Sequence, residues 1–553
     1  MQKRRRFRRK SFKSNCPPLH HSVMLPLSTE KMNRRKYLKY TAGIVGGLVV
    51  GAAAGYYGGV SAAPSVTQKL TETVTATQTV TQAVTSAPLQ GEFGPWPPTA
   101  PVVPGWPPAK WAQYPGLQLT GEAVDMYLAS HNPDTFGGIW ARRHDAQPPK
   151  FAPIPFDQRH AKIMGDLSAG SDVDIVYVLW RWRGELRKGD YLLDLTPWYE
   201  SKFPKAWFDS IPVVKRMSMQ YGNKDGTLGS FVDDSRLYGV PMDGDTPMVY
   251  YRKDIFKDMG LDPEKLMTPE GRLETYKALN RDKPSDKGGG LDLNNDGKID
   301  CWAWQWMMAR RLDQQALFMY HWMYRQWKAG KPAAVIDEKR NPLINNEEAV
   351  MSLEDLISYI PYMIPGSLTA GFDELQTNYA EGRVAVFPDT GAGWRTSFEN
   401  PEMAPKTAGK TNYMPSMRGT IYESCLFGVN KRSKHPDEAL EYLLEWSSPD
   451  IAIKAYEGLP PWGPSWMDPP YEWMWEDPEF ETMYPGFLDA WKRAWQMGAE
   501  WPAPDWPADE PNADMLMDRL DYWIIEAYTG RMKPKDALDA CADEWKTLLV
   551  PKL

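Results

Sequence analysis

Carboxylates and indole rings are the side chains in this sequence with chemistry to offer. Paired acids occur at Asp233-Asp234 and at Asp243 and Asp245, and glycosidic hydrolysis uses two carboxyls set on either side of the scissile bond. Acids adjoining in one chain segment say nothing about placement across a bond. Of seven histidines, His20 and His21 lie near the N-terminus, and His131, His144, His160, His321 and His435 form no HExxH and no metal-ligand spacing. No GxSxG and no P-loop is present. The expectation is a binding protein that is not an enzyme and requires no cofactor, with a secreted carbohydrate-active hydrolase or a surface lectin as the alternative.

All 25 tryptophans fall between Trp96 and Trp545. Indoles fill large cores, and they also offer flat apolar faces to sugar rings. A sugar cleft combines such faces with planar polar groups able to bridge neighbouring hydroxyls.

Asp292-Leu293-Asn294-Asn295-Asp296-Gly297-Lys298-Ile299-Asp300 places Asp292, Asn294, Asp296 and Asp300 at loop positions 1, 3, 5 and 9 of an EF-hand-like calcium loop. Gly297 stands at position 6, and Lys298 would contribute its backbone oxygen. Position 12 is Ala303, where such a loop wants a bidentate Glu. The alternatives are a structural calcium site and an Asx-rich turn held by its own hydrogen bonds.

At 553 residues the chain calls for more than one globular unit. Residues 1–63 carry thirteen Lys/Arg against one acid, Glu30, leaving 51 basic and 70 acidic groups, net −19, in the rest. An acidic body without a basic stripe excludes nucleic acid as a partner. Cys16 lies in the basic head; Cys301, Cys425 and Cys541 form no CxxC, and either one disulfide with a spare thiol or three buried thiols is compatible.

Asn33-Arg34-Arg35-Lys36 followed by residues 40–68 without a charge reads as an export segment. Paired arginines before a moderately apolar Gly/Ala stretch resemble a twin-arginine signal, and the stretch is also long enough for a membrane anchor with its basic flank inside. Ser61-Ala62-Ala63 suits a signal peptidase, and Met32 would make a natural start. Residues 64–112 then form a Thr-rich stalk and a Pro-rich polyproline spacer (Pro95, Pro97, Pro98, Pro101, Pro104, Pro107, Pro108). The expectation is an extracytoplasmic body, tethered or secreted.

From about residue 117 elements alternate in the βα manner. Val173–Leu179 is a short apolar run suited to a buried strand and ends at Trp180-Arg181-Trp182, where ligands of open α/β sheets bind. Val384–Phe387 and Cys425–Val429 are further strands. A helix spans Lys253–Met259 with Gly260 as its C-cap, another spans 436–446, and two more close the chain near 512–529 and 535–549.

Tyr238-Gly239-Val240-Pro241 followed by Tyr250-Tyr251-Arg252-Lys253-Asp254 and Met259-Gly260-Leu261-Asp262-Pro263 resembles the extracellular solute-binding proteins of the maltodextrin-binding type, the capture component of ABC importers. Leu167–Gly170 before the first strand, Leu193–Pro197, Tyr379–Val386 and Phe427–Asn430 match in the same order. The resemblance covers roughly residues 117–465. It implies a two-lobed α/β fold with a carbohydrate, an oligosaccharide above all, in the cleft, hinge closure on the ligand, and delivery to membrane permease subunits, with ATP hydrolysed by a separate subunit. It places lobe one at 113–243 plus 418–460 and lobe two at 244–417 plus 461–553. Position matching names Trp180, Trp182, Asp243, Asp245, Trp304 and Trp306 on a helix start, Asp389 and Trp394 after a strand, Glu423, and Trp462 as ligand contacts.

Overall fold

The chain divides after Pro88, and Leu89–Leu553 is one unit of it. The structure, a computed structural model, describes residues 96–549 apart from 213–215, 217–218, 221–235, 286–287, 307, 309–314, 333, 338, 420–424, 460, 464, 466 and 502–505. The export segment, the Thr-rich stalk, Asp233-Asp234 and Glu423 lie outside the described residues. Among the described residues no helix is long and apolar enough to cross a membrane.

Two sheets organise the body. Strands β1 (Thr120–Val124), β2 (Lys150–Ile154), β3 (Ile175–Leu179) and β4 (Val240–Asp243) belong to the first sheet. Strand β5 (Pro247–Arg252) opens the second, β6 (Asp282–Ser285) and β7 (Gly288–Gly290) make a small hairpin, and β8 (Trp302–Trp304), β9 (Val384–Gly391) and β10 (Thr411–Pro415) complete the second. The chain then returns to the first sheet with β11 (Cys425–Val429). The spatial orders are β2-β1-β3-β11-β4 and β10-β5-β9-β8. β1 runs parallel to β2 and β3, and β11 is antiparallel to β3 and β4.

Every side chain of β3 (Ile-Val-Tyr-Val-Leu), of β5 and of β11 is buried. Both faces are covered by helices, which is why these strands read as continuous apolar runs rather than alternating ones. In the first lobe Trp446 of the helix Pro436–Trp446 meets Phe427 edge-on at 5.7 Å. In the second, Tyr250 is ringed by Phe387, Phe398 and Tyr413 at 5.5–5.7 Å. Each such aromatic contributes about 1.5–3 kcal/mol of burial. The helix Lys253–Met259 ends where Gly260 turns left-handed at φ 64°, a conformation that costs glycine no steric strain.

Three segments cross between the sheets: Gly244–Thr246 from β4 to β5, the stretch from β10 to β11, and a return after the helix Pro449–Glu457. Asp468 on the third is tied to the first: its amide donates to Asp243 Oδ1 (2.7 Å), its Oδ2 accepts from Thr246 N (3.1 Å), and its carbonyl accepts from Gly244 N (2.8 Å). The closing helices Ala513–Tyr528 and Pro534–Leu548 pack on each other and on Gln315–Lys328 and Glu347–Tyr359 of the second lobe.

Three expectations change. The Pro-rich run is not a free spacer from residue 96 onward: Trp106 packs edge-on against Trp207 (5.1 Å), Arg143 lies over Trp111 (4.3 Å), and Tyr114 stacks on His144 (5.3 Å). Its aromatic rings bury apolar surface against lobe one, which favours docking of the run over a free spacer. Trp304 ends strand β8 and is not on a helix start, because Trp302 and Trp304 pair with Val384 and Val386. Asp389 lies within β9, which runs on to Gly391. The cysteine alternatives narrow as well: Cys301, Cys425 and Cys541 are buried, and no disulfide joins any two of them.

Candidate ligand cleft

The carboxyl ends of β1 and β3 and the start of antiparallel β11 converge where the crossover β4–β5 begins. Tyr127, in the turn Asp125–His131 after β1, stacks on Tyr177 of β3 with rings 5.8 Å apart and 17° between planes. Trp182 meets Tyr177 edge-on at 6.0 Å. Tyr177 Oη lies 3.1 Å from Cys425 Sγ, which in turn stands 3.7 Å from Asp245 Oδ2. Burial holds both tyrosines protonated, well above the ordinary phenol value.

Asp243 is buried, and its Oδ1 accepts from the amides of Asp245 (3.1 Å) and Asp468 (2.7 Å). Burial first, then the charges of Asp468 and Asp245, push its carboxyl well above the usual range. Asp243, Asp245 and Cys425 bring ligand atoms within 4.8 Å of one another, as do His144, Glu441 and Glu445. Both groups have protein partners. His144 Nδ1 bonds the Ala112 carbonyl (2.7 Å), and Glu445 takes Arg143 (2.6 Å) as well as His144.

Beside this floor opens a cavity of about 560 Å³ between lobe one and the helix Ala513–Tyr528. Lobe one supplies Arg159, His160, Leu179, Arg181, Trp182 and Glu185; the facing side supplies Trp506, Asp514, Met517, Asp518 and Asp521. His160 links the two: Nε2 is 2.9 Å from Glu185 and Nδ1 is 3.5 Å from Asp514. Its ring lies 5.2 Å from Trp182. Burial opposes its charge, but the Glu185 hydrogen bond and the Asp514 and Glu185 carboxylates outweigh it and raise its pKa above the usual histidine value. The cavity therefore offers an indole, an imidazole, guanidinium groups and carboxylates on facing walls, a set suited to holding hydroxyl-rich molecules.

A family profile described as bacterial extracellular solute-binding protein matches residues 148–452, more than half of the chain. The chain belongs to that family. No curated protein sequence matches it. Among solved structures, this solute-binding protein is similar to an ABC-transporter solute-binding protein of Agrobacterium radiobacter K84 in complex with ribitol. The TM-score is 0.60 at 18% identity, over 80% of this chain and 100% of that one. It is similar as well to maltose-bound MalE3 of T. maritima, with TM-score 0.59 and 19% identity over 78% and 100%. The GacH receptor of Streptomyces glaucescens, solved unliganded and with acarbose, has TM-score 0.59 and 14% identity over 79% and 99%. These likenesses fix the two-lobed fold.

The structure of this solute-binding protein distributes the residues expected at the ligand unevenly. Trp182 lines the cavity, with Asp243 and Asp245 at the crossover beyond it. Trp180, two positions away, is fully buried under Arg183 (5.6 Å) and does not line it. Trp394 stacks on Phe398 (5.7 Å, 15°). It follows Gly391, which lies against Asp245 and Asp468. Trp304 is in the second lobe's core, stacked on Tyr276 (5.2 Å, 3°) with Nε1 donating to the Tyr359 carbonyl at 2.9 Å. Trp306 is 1% exposed. Asp389 pairs with Arg272 inside that lobe, and Trp462 is half-buried in its turn.

Tyr127, Tyr177, His160 and Asp514 were not among the ligand contacts expected from the sequence. Tyr177 had a usable signal: it shares a strand face with Leu179, the face that reaches the cavity. His160 and Asp514, 354 positions apart, had none. In the loop 292–300, Asp292 accepts from the amides of Asp296 (3.1 Å) and Gly297 (2.8 Å), Asn294 from Asp296 (2.9 Å), Asp296 from Lys298 (2.9 Å), and Asp300 from Leu293 (2.9 Å).

Proposed function

We propose that this protein captures a carbohydrate, most of all an oligosaccharide, outside the cytoplasm and passes it to the permease of an ABC importer by closing its lobes. The observation that carries the reading is the cavity at the carboxyl end of β3, where Trp182 stands among charged groups from both lobes. Its volume lies in the range of small-molecule sites. Neighbours of the same fold hold ribitol, maltose and acarbose, which favours a hydroxyl-rich ligand here.

The ligand leaves unchanged, since the proposed role needs only binding and release. Lobe one comprises 113–243 and 418–460 and lobe two 244–417 and 461–553, hinged at the crossings tied by Asp468. The twin-arginine-like segment 33–68 directs export and either is cleaved or tethers the protein, and the Thr-rich stretch serves as stalk. The loop Asp292–Asp300 binds a structural calcium, with Asp292, Asn294, Asp296, Asp300 and the Lys298 carbonyl as ligands.

A thermal-shift panel of maltooligosaccharides, other disaccharides and polyols tests the ligand class. A ligand selective for the native state raises Tm with concentration, and scattering with that ligand should show compaction. If no saccharide or polyol does either, the carbohydrate reading is lost.

A further inference from the structure

At the rim of the cleft the segment Trp506–Glu510 is fastened to both lobes, and we propose that it is a latch holding them closed. The proposal rests on the hinge-closure reading above and assigns that site a control of its own.

On the lobe-one side the segment lies against the helix Arg183–Gly189. Arg183, 4% exposed, donates Nε and Nη2 to the two Asp509 carboxylate oxygens at 2.8 and 2.9 Å. Gly184 N donates to the Ala508 carbonyl (2.8 Å) and Arg187 Nη2 to the Asp509 carbonyl (3.4 Å). The Arg181 guanidinium covers the Trp506 ring at 4.3 Å. The approach depends on a missing side chain: a Cβ on Gly184 would meet Glu510 O at 2.5 Å and Asp509 C at 2.7 Å, both backbone.

On the other side Glu510 accepts from Arg340 Nη1 (2.7 Å) and Nη2 (2.6 Å). Arg340 sits between the second-lobe helices Gln315–Lys328 and Glu347–Tyr359. Asn512 Nδ2 then donates to the Leu548 carbonyl (2.6 Å) on the last helix. Consecutive acids thus face opposite lobes, each in a two-point guanidinium pair, the geometry that gives carboxylate–arginine contacts their directional strength. Pro507 and Pro511 restrict the backbone between them. Opening the cleft separates helix Arg183–Gly189 from this segment and breaks the two-point Arg183–Asp509 pair, the Gly184–Ala508 backbone hydrogen bond and the Arg181–Trp506 stacking together. The latch also forms cavity wall through Trp506, and Pro511 and Asn512 just after it continue that wall.

Full-length protein with Cys16→Ser, labelled at Lys202→Cys in lobe one and Glu354→Cys in lobe two, both exposed, reports lobe separation by single-molecule energy transfer with no sugar added. The buried Cys301, Cys425 and Cys541 stay unlabelled. Asp509→Asn, Glu510→Gln and Gly184→Ala are each expected to lower the closed-to-open ratio about tenfold or more, and Asp489→Asn on the helix Phe487–Glu500 to leave it unchanged. Near-UV circular dichroism selects the folded variants, and Arg183→Asp combined with Asp509→Arg should recover the closed population. Distributions of folded Asp509→Asn and Glu510→Gln superimposing on the parent's would overturn the latch. Because the readout uses no saccharide, this result is independent of whether any saccharide binds.

Discussion

Arg272 and Asp389 meet in a two-point ion pair within the second lobe, both side chains 1% exposed or less. Arg272 also donates Nε to the Leu266 carbonyl at 2.7 Å, with His321 Nε2 at 3.5 Å. The aspartate that position matching placed at the ligand is thereby committed to the fold. Asp389→Ala leaves a buried guanidinium without its carboxylate, and the expected loss is about 3–5 kcal/mol of stability, read by urea unfolding. The folded fraction should keep its ligand affinity.

Trp182 gives the opposite pattern. It lines the cavity at 5% exposure, between His160 and Tyr177. Trp182→Ala is expected to raise the Kd of any saccharide found in the thermal-shift panel roughly 10- to 100-fold, the equivalent of about 1.5–3 kcal/mol of apolar contact. Calorimetric titration measures it. Trp304→Ala should instead lower Tm, since that ring lies in the core.

His160 bridges Glu185 and Asp514 across the cleft, and its pKa is raised above 6.5. A raised folded value means that the charged form stabilises the contact fully below the unfolded pKa, and that this contribution is lost as pH rises through the folded value. The Tm difference between parent and His160→Gln should therefore be largest below about pH 6.5 and shrink on the alkaline side. A difference independent of pH would contradict the charged bridge.

Calcium is tested by removal. If the loop Asp292–Asp300 holds the ion, chelation by EGTA lowers Tm, excess calcium restores it, and Asp292→Ala with Asp296→Ala abolishes the response. An unchanged Tm would leave the loop as hydrogen-bonded turns.

Burial pushes the Cys301 thiol up to about 12 and Cys541 well above the usual value. Neither should react with a disulfide reagent at neutral pH until the protein is unfolded, whereas in denaturant both should titrate.

The sequence by itself determined the features that neighbours along the chain decide. A charge-free stretch after paired arginines, the acidic body, the Lys253–Met259 helix with its Gly260 cap, and the strands at 175–179, 384–387 and 425–429 all follow from local composition, periodicity and backbone preference. The two-lobed solute-binding fold was implied by the resemblance of Tyr238–Pro241, Tyr250–Pro263 and the segments matching in the same order to that family. Tertiary structure alone decided which aromatic and acidic residues face the cleft. Trp180 and Trp182 are two positions apart and equally suited to a sugar, yet one is sealed in the core while the other lines the cavity. Asp389 was claimed by an arginine 117 positions away, and Asp509 by another 326 positions away. Burial and ion pairing depend on what the rest of the chain brings alongside, and no spacing within one segment records that.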